Sequence, residues 1–511
     1  MSSTTDRDIE QIADDLERAL PPRRERDPHA LSLSLVSHTN VGKTSLARTL
    51  LREDVGEVLD QAHVTDENEV HTLIETDQGE KLELWDTPGF GDSARLLRRL
   101  KRENTRIGWF LSQVWDRFKN RPLWCSQQAL RNVREAADIV LYLVNASEDP
   151  EDAGYVDLEM EILSWVSRPV IVLLNQTGGG RSREIAAEDL RRWSAHMKER
   201  HPIVVDVLEL DAFSRCWVQE GVLFEAACQH LEPDRRALLE RLLNVWTERS
   251  RKTFVESMEI LAGHLALAAC DVELIQESSA DLLKRGRKKA AEKLGERLET
   301  SSKKGIARLI EIHQLEGQAA ADVETKMEDF AMSAAKVEPW KAGALGGAVS
   351  GALGGLAADF LSGGLSFGGG FVAGAILGAF GSAGLARALS IFRGDEIPRA
   401  GWSDEFLEAL TKNMALRYLA VAHFGRAHGS YHEDPEPKLW RDAVETAYDD
   451  KRAKLEAIWK RAHAPIKGRT DSIESREAEI RAELTTVLSA LVSGVLTRFY
   501  PKAARFLQRK A

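Results

Sequence analysis

The chain has 511 residues, 43% hydrophobic and 29% charged, so it is long enough for about three domains and has a globular composition. Its formal net charge of −11 argues against a nucleic-acid-binding protein that acts through overall charge. The four cysteines form no Cys-x-x-Cys pair, and the first twenty residues do not resemble a secretory signal. We therefore expect no disulfide framework and a cytoplasmic location.

The first segment, 1–29, is predicted to be one short helix followed by a linker. Ile9, Ile12, Leu16 and Leu20 recur at helical spacing and share one face. Two prolines at 21–22 then end the helical pattern.

From residue 30 to 235 the pattern predicts an α/β domain. Short, nearly continuous apolar runs alternate with helical stretches, which is typical of a mostly parallel sheet with helices on both faces. The second and third runs are separated only by a short turn, so we expect them to form an antiparallel hairpin. The predicted strands are 30–36, 70–75, 81–85, 138–144, 169–174 and 203–210.

After about residue 235 the strand signals nearly vanish, and a mainly helical region is predicted. It divides into a helical segment at 236–338, a segment rich in glycine and alanine at 339–389 and a second helical segment at 390–511.

The segment rich in glycine and alanine contains 15 of the 37 glycines, and Asp359 is its one charged residue between 342 and 386. Several glycines recur every fourth residue, which predicts closely packed helices at about 342–358 and 365–389. This glycine-zipper hairpin would insert into a membrane. The alternatives are a zipper buried within the protein's own helices and a flexible loop.

The C-terminal end is a second candidate for membrane contact. Leu484–Leu496 is apolar apart from hydroxyl groups but too short to span a bilayer, and no acidic residue follows Glu483. An apolar helix beside basic residues suits an anionic membrane surface. A core helix with a basic end explains the same pattern.

A phosphate-binding loop is predicted between the first strand and the next helical run. The sequence from Ser37 to Thr44 ends in Gly42-Lys43-Thr44, although Ser37 stands where a glycine is usual. Lys43 would contact the β- and γ-phosphates, and the Thr44 hydroxyl would bind Mg²⁺. Backbone N–H groups would hold the phosphates, and the loop residues assigned to this task are Asn40, Val41, Gly42, Lys43, Thr44 and Ser45.

A second motif strengthens this prediction. Asp86-Thr87-Pro88-Gly89 ends the third predicted strand, 42 residues beyond Thr44. Asp86 would hold Mg²⁺ through water, and the Gly89 N–H would contact a γ-phosphate. We therefore predict Lys43, Asp86 and Gly89 as catalytic residues.

The sequences NVGKTSL (40–46) and WDTPGFGD (85–92) resemble those of Era/TrmE-like P-loop GTPases of the translation-factor-related class. More narrowly, the chain resembles bacterial Era-like G domains fused to a long helical region. The resemblance covers residues 30–235 and implies a GTP/GDP-binding domain that hydrolyses GTP with Mg²⁺ and acts as a conformational switch.

The resemblance also assigns individual residues. By position, Thr65 is the switch I threonine, which would act in catalysis and as a ligand of Mg²⁺. Asn40 matches the loop asparagine that binds K⁺ in some relatives, although a loop-stabilising amide is an equal alternative. Phe90 stands where a Ras-type enzyme has its water-orienting glutamine, so hydrolysis would be slow without an activator.

The base-recognition motifs are degenerate. Asn175 matches the family's Asn-Lys-x-Asp pattern, but Gln176 and Gly178 replace its lysine and aspartate. Without that carboxylate, the sequence does not say how strongly the site prefers GTP over ATP. Asp211 is the candidate for the fifth motif, near the base.

Three functional classes follow. The chain is a GTPase switch whose helical region acts at a membrane, an Era-like assembly GTPase acting on RNA or ribosomes, or a membrane or scaffold protein that binds nucleotide but hydrolyses it poorly. We favour the first, with a membrane lipid or membrane protein as partner at the cytoplasmic face of the inner membrane, a homodimer or higher oligomer, and no nucleic acid. The 13 histidines are scattered and predict no metal site.

Overall fold

A computed structural model of the chain describes ten stretches of it, and all structural statements below concern those residues. They form two compact units, one up to Ser250 together with His423–Glu436 and the other from Arg251 to Ala422 together with the residues from Pro437 onward. The described stretches are 27–52, 69–102, 121–175, 183–210, 216–275, 280–315, 388–392, 398–423, 436–465 and 473–507.

The first unit contains a six-stranded sheet in the order β2-β3-β1-β4-β5-β6. All neighbouring pairs are parallel except β2 and β3, which are antiparallel. The strands are β1 (Ala30–Ser37), β2 (Glu69–Glu75), β3 (Lys81–Asp86), β4 (Ile139–Asn145), β5 (Val170–Asn175) and β6 (Val204–Glu209).

Helices connect most of these strands, as the alternating pattern predicts. Strands β1, β4 and β5 are almost completely buried, which explains why their sequences are continuous apolar runs. The helices are α1 (Lys43–Leu51), α2 (Ser93–Arg102), α3 (Arg121–Glu135), α4 (Gly154–Ser164), α5 (Arg183–Arg200) and α6 (Trp217–Gln229).

The predicted fold class is confirmed for this unit, including the antiparallel hairpin. Gly79 has φ of 79° in the turn between β2 and β3, a conformation that favours glycine. Glu80, which follows Gly79 directly, accepts hydrogen bonds from Arg241 at 2.6 and 3.0 Å. Arg241 lies on helix α7 (Pro233–Cys270), so this contact fixes the start of α7 to the hairpin.

A second contact fixes α7 at the start of β4. Arg235 donates to both carboxylate oxygens of Asp138, and the backbone N–H of Ser32 in β1 donates to the same carboxylate at 2.9 Å. Asp138 is 4% exposed, so the cation compensates a buried charge.

The second unit is mainly helical, as predicted, and takes up the part of α7 that follows Ser250. Its other elements are β7 (Val272–Leu274), α8 (Ala280–Ile312), β8 (Leu389–Phe392), β9 (Arg399–Trp402), α9 (Asp404–Ala422), α10 (Glu436–Asp449), α11 (Arg452–Ala462), α12 (Ile473–Phe499), a 3-10 helix (Pro501–Ala503) and α13 (Ala504–Leu507).

A small sheet in this unit corrects the expectation that strands nearly vanish after residue 235. Strand β9 lies between β7 and β8 and is antiparallel to both. The three strands have only three or four residues each, too short for their alternation to stand out in the sequence.

Among the residues that the structure describes, two helices, α7 and α12, are long and apolar enough to cross a membrane by length and composition. This is weak evidence, because a core helix of a soluble protein passes the same test. In α12 the apolar face is packed inside its own unit, which favours the core-helix interpretation of Leu484–Leu496. The N-terminal helix and the predicted glycine-zipper hairpin up to residue 387 lie outside the described residues, and Leu389, where the second predicted helix would end, belongs to β8 instead.

Candidate functional site

The loop between β1 and α1 has the backbone shape that its sequence predicts for phosphate binding. Asn40 and Gly42 have φ of 64° and 95°, and Gly42 is the N-cap of α1. The first intrahelical hydrogen bond runs from Leu46 N–H to Gly42 C=O at 3.0 Å. The preceding N–H groups have no intrahelical acceptor, and the N-terminus of a helix attracts anions.

Asn175, at the end of β5, supports this loop from the neighbouring strand. Its side-chain amide donates to the Val41 carbonyl at 2.7 Å, and the residue is fully buried. A Cβ on Gly42 would lie 2.7 Å from the same amide nitrogen, so only glycine fits beside it without a shift. The structure therefore joins Asn175 to the phosphate loop, a contact that its predicted role at the base did not include.

Lys43 and Asp86 form the buried charged centre of the site. Lys43 is 8% exposed and Asp86 2% exposed. Burial lowers the pKa of Lys43, an effect that the negative charges of Asp86 and Glu159 partly offset. Burial raises the pKa of Asp86, because it also disfavours the charged form of this residue, while the charge of Lys43 and the hydrogen bond from Thr44 act in the opposite direction.

Two of the three predicted Mg²⁺ ligands, Thr44 and Asp86, are neighbours. The Thr44 hydroxyl donates to Asp86 Oδ2 at 2.7 Å, across the 42 residues that separate them in the sequence. The other oxygen, Oδ1, is buried and has no hydrogen-bond partner among the described residues. A hydroxyl group next to a carboxylate oxygen that accepts no hydrogen bond supplies the oxygen ligands that Mg²⁺ prefers. Thr44 and Asp86 therefore fit the predicted ion.

The segment after β3 is tied to the same loop. Phe90 N–H donates to Ser37 C=O at 2.9 Å, and Thr39 N–H donates to Phe90 C=O at 3.3 Å. A Cβ on Gly89 would lie 3.0 Å from Thr39 Cα and 3.1 Å from Lys43 Nζ. The backbone at Gly89 therefore approaches the phosphate loop closely, as contact with a shared phosphate requires.

Most of the predicted site residues are thus brought together, while two are not described. Ser45 is buried at 9% exposure in the first turn of α1, and Asn40 is exposed. Ser37, the departure from the usual glycine, accepts from Lys43 Nζ at 3.4 Å. Thr65 and Asp211 lie outside the described residues.

A buried carboxylate that the sequence does not predict lies beneath the loop. Glu159 on α4 is fully buried and accepts from the Ser93 hydroxyl and the Tyr142 hydroxyl, each at 2.6 Å. Its Oε1 also lies 2.8 Å from His38 Nδ1 in the phosphate loop. A single glutamate in an amphipathic helix gives no signal of this role, because its partners come from three distant parts of the chain.

Two family models match the sequence. Residues 206–489 match the family described as a domain of unknown function (DUF3482). Residues 32–176 match the family described as 50S ribosome-binding GTPase. The second match covers β1 to β5 with the phosphate loop, which identifies the first unit as a P-loop domain of the GTPase type.

Similar solved structures are also GTP-binding proteins. A variant of Era from Aquifex aeolicus bound to GDP and AlF4− is 17% identical over 40% of this chain and 57% of its own, with a TM-score of 0.31. Era in complex with MgGDPNP and nucleotides 1506–1542 of 16S ribosomal RNA is 18% identical over 40% and 57%, with a TM-score of 0.30. A GTP-binding protein from Sulfolobus solfataricus in complex with GDP is 16% identical over 42% and 52%, with a TM-score of 0.23.

The chain spans little more than half the length of each of these three proteins. The comparison with curated proteins gives no match.

Proposed function

The chain belongs to the DUF3482 family, and we propose that its first unit binds GTP with Mg²⁺ and hydrolyses it as a conformational switch. The observation that carries this proposal is the convergence of Lys43, Thr44 and Asp86 under a loop of P-loop shape. All three side chains are intact, which favours turnover over nucleotide binding alone.

Each residue has a role that its surroundings support. The N–H groups of Val41 to Ser45 hold the phosphates, and buried Lys43 places a cation beside the β- and γ-phosphates. Thr44 and Asp86 would hold the metal, Asp86 through water. When bound, Mg²⁺ neutralises charge that develops on the phosphate oxygens.

The switch element in this proposal is the segment that follows Asp86. Gly89 N–H is available to a γ-phosphate, and its neighbour Phe90 is hydrogen-bonded to the phosphate loop on both backbone groups. In this proposal, loss of the γ-phosphate removes a contact to the Gly89 N–H at the start of the segment that leads into α2. Thr65 would complete the metal site in the GTP-bound state.

Hydrolysis is proposed to be slow unless an activator is present. Phe90 is fully buried and has no polar group to orient water. The exposed Asn40, held at φ of 64°, is the residue through which K⁺ would act at the phosphates. Catalysis then rests on charge stabilisation by Lys43 and the metal.

Guanine is the proposed base, with limited selectivity over adenine. Asn175 and Asp211 are its proposed contacts. Gly178 offers no carboxylate to guanine, so Gly178→Asp is expected to sharpen the preference for GTP.

The decisive experiment is turnover of GTP and ATP by the full chain, with and without Mg²⁺ and K⁺. We expect wild type to hydrolyse GTP slowly in the presence of Mg²⁺. Asp86→Asn should lose turnover while it still binds nucleotide, because Asp86 would hold the metal through water and would not contact the phosphates. Lys43→Ala should not bind nucleotide, as measured by calorimetry.

A surface lysine provides the matched control. Lys198→Ala removes a cation from the exposed end of α5 and should leave binding and turnover unchanged. If Lys43→Ala binds GTP as tightly as this control, the phosphate-loop assignment is wrong. Tight binding by wild type without turnover under any condition would instead favour a nucleotide-binding scaffold.

We further propose that the helical region acts at a membrane, in the manner of dynamin-like proteins. The support is the sequence of 339–389, with its fifteen glycines and single charge in 342–386, and the basic end that follows α12. A membrane lipid or membrane protein would be the partner, at the cytoplasmic face of the inner membrane, and a homodimer or higher oligomer would form there.

Flotation with anionic vesicles tests this proposal and separates the two membrane candidates. We expect wild type to float, deletion of 342–386 to abolish flotation and deletion of 498–511 to leave most of it. Wild type that stays in the soluble fraction with GTP, with GDP and without nucleotide would rule out the membrane role.

A further inference from the structure

A cluster of two histidines and an aspartate lies on α4 and α5, outside the nucleotide-binding residues. His196 is near the end of α5, His201 follows that helix, and Asp157 is in the first turn of α4. The Nε2 atoms of both histidines approach the same oxygen, Asp157 Oδ1, at 3.2 Å for His196 and 2.8 Å for His201. One potential ligand atom from each residue lies within 4.8 Å of the other two.

These distances are close to those of a tetrahedral metal site. Zinc bonds of about 2.0–2.1 Å to nitrogen and oxygen place neighbouring ligand atoms about 3.3 Å apart. Both nitrogen–oxygen distances are shorter than this spacing, by about 0.1 Å for His196 and about 0.5 Å for His201. Small side-chain rotations are therefore enough to admit an ion between the three ligand atoms.

The remaining nitrogen of His196 gives independent support. The His196 side chain is 4% exposed, and its Nδ1 is buried without a hydrogen-bond partner among the described residues. Glu151 Oε1 lies 3.5 Å from this nitrogen, and the Glu151 side chain is 69% exposed. A metal-bound histidine commonly donates its other N–H to a carboxylate, which is the role Glu151 would take.

We propose that Asp157, His196 and His201 bind one Zn²⁺ ion, which joins α4 to the C-terminal end of α5. Two imidazoles and one carboxylate suit zinc better than Mg²⁺ or Ca²⁺, which prefer oxygen ligands. The three protein ligands leave a fourth position for water. The scattered histidines gave no sign of this site, because Asp157 and His196 meet only through the packing of two helices.

Arg200 competes with the proposed Zn²⁺ ion, so its removal distinguishes a metal site from an ion-pair network. Its guanidinium contacts Glu151 at 2.8 Å and Asp157 at 3.5 Å, so it supplies the positive charge that zinc would otherwise supply. A cluster that serves only as an ion-pair network needs Arg200, whereas a metal site is strengthened by its removal.

The experiment is titration of the metal-free full chain with Zn²⁺, carried out with Mg²⁺ and GDP at saturation so that the nucleotide site is filled. Calorimetry should show one tight Zn²⁺ per chain in wild type. His201→Gln and Asp157→Asn should each weaken it by at least ~100-fold, and His230→Gln, a histidine after α6, should not. Arg200→Gln should bind Zn²⁺ several-fold more tightly than wild type.

A spectroscopic readout separates ligation from folding. Co²⁺ in place of Zn²⁺ should give the intense visible absorption of a four-coordinate site in wild type and in His230→Gln, and lose it in His201→Gln. Circular dichroism verifies that each variant is folded. Absence of Zn²⁺ binding by wild type, or equal binding by wild type, His201→Gln and Asp157→Asn, would overturn the proposal.

Discussion

At the scale of single residues, Gly89 shows how closely the switch segment approaches the phosphate loop. Its missing side chain leaves space that a Cβ would fill at 3.0 Å from the Thr39 backbone and 3.1 Å from Lys43 Nζ. Contacts this short force a neighbour to move, and the Thr39 backbone is anchored by its hydrogen bond to Phe90. Any larger residue at position 89 must therefore displace the part of the loop that would face a γ-phosphate.

Gly89→Ala is accordingly expected to weaken GTP binding about tenfold or more while GDP binding changes little, since GDP lacks the γ-phosphate. Calorimetry with GDP and a non-hydrolysable GTP analogue measures both affinities. Gly154→Ala is the matched control, because a Cβ there meets no atom within 4 Å. Equal losses for both nucleotides would show that Gly89 only shapes the loop.

The residues of the candidate site were predictable where the signal is local. Gly42-Lys43-Thr44 and Asp86 to Gly89 are short motifs whose chemistry is fixed by neighbours in the sequence. The contact of Asn175 with the Val41 carbonyl and that of Glu159 with His38 span more than a hundred residues. These contacts depend on the order of the strands in the sheet and on the packing of α4, so no local sequence pattern predicts them.

At the scale of elements, a buried histidine links two long helices of the second unit. His264 on α7 has its Nδ1 2.8 Å from the Ser301 hydroxyl on α8 and is 5% exposed. Burial, with a smaller contribution from the positive charge of Arg417, lowers the pKa of His264 from 6.5 to about 4. The native state therefore holds this histidine neutral, whereas the unfolded chain protonates it below about pH 6.5.

Because the unfolded state binds the extra proton, this contribution to stability is complete above pH 6.5 and is lost as the pH falls toward 4. It amounts to about 2 kcal/mol between pH 7 and pH 5. Urea unfolding of the full chain at both pH values should show His264→Gln losing less stability than wild type by about that amount. An equal loss in both proteins would mean that His264 does not carry this pH dependence.

The elements themselves were predictable when they were long or strongly patterned. The six strands of the first sheet were expected within one or two residues, because buried parallel strands have continuous apolar sequences. Strands β7, β8 and β9 were not, since three or four residues carry too little periodicity and β7 lies more than a hundred residues from its partner β9.

At the scale of the whole molecule, every described part of the nucleotide site belongs to the first unit. The phosphate loop, the end of β3 and the end of β5 meet on one sheet, and the unfolded chain holds none of them together. Nucleotide should therefore bind the folded first unit alone and stabilise it by mass action, whatever the second unit does.

At a nucleotide concentration one hundred times the dissociation constant, this stabilisation is about 2.7 kcal/mol. Thermal unfolding of the full chain should show a rise in melting temperature with GDP and Mg²⁺, and a smaller rise when EDTA removes the metal. Lys43→Ala should show neither rise, whereas the control Lys198→Ala should match wild type. If the chain unfolds in two steps, only the step that melts the first unit should move, because the ligand has no folded site elsewhere. A shift of equal size in Lys43→Ala would place the binding outside the phosphate loop and contradict the proposed site.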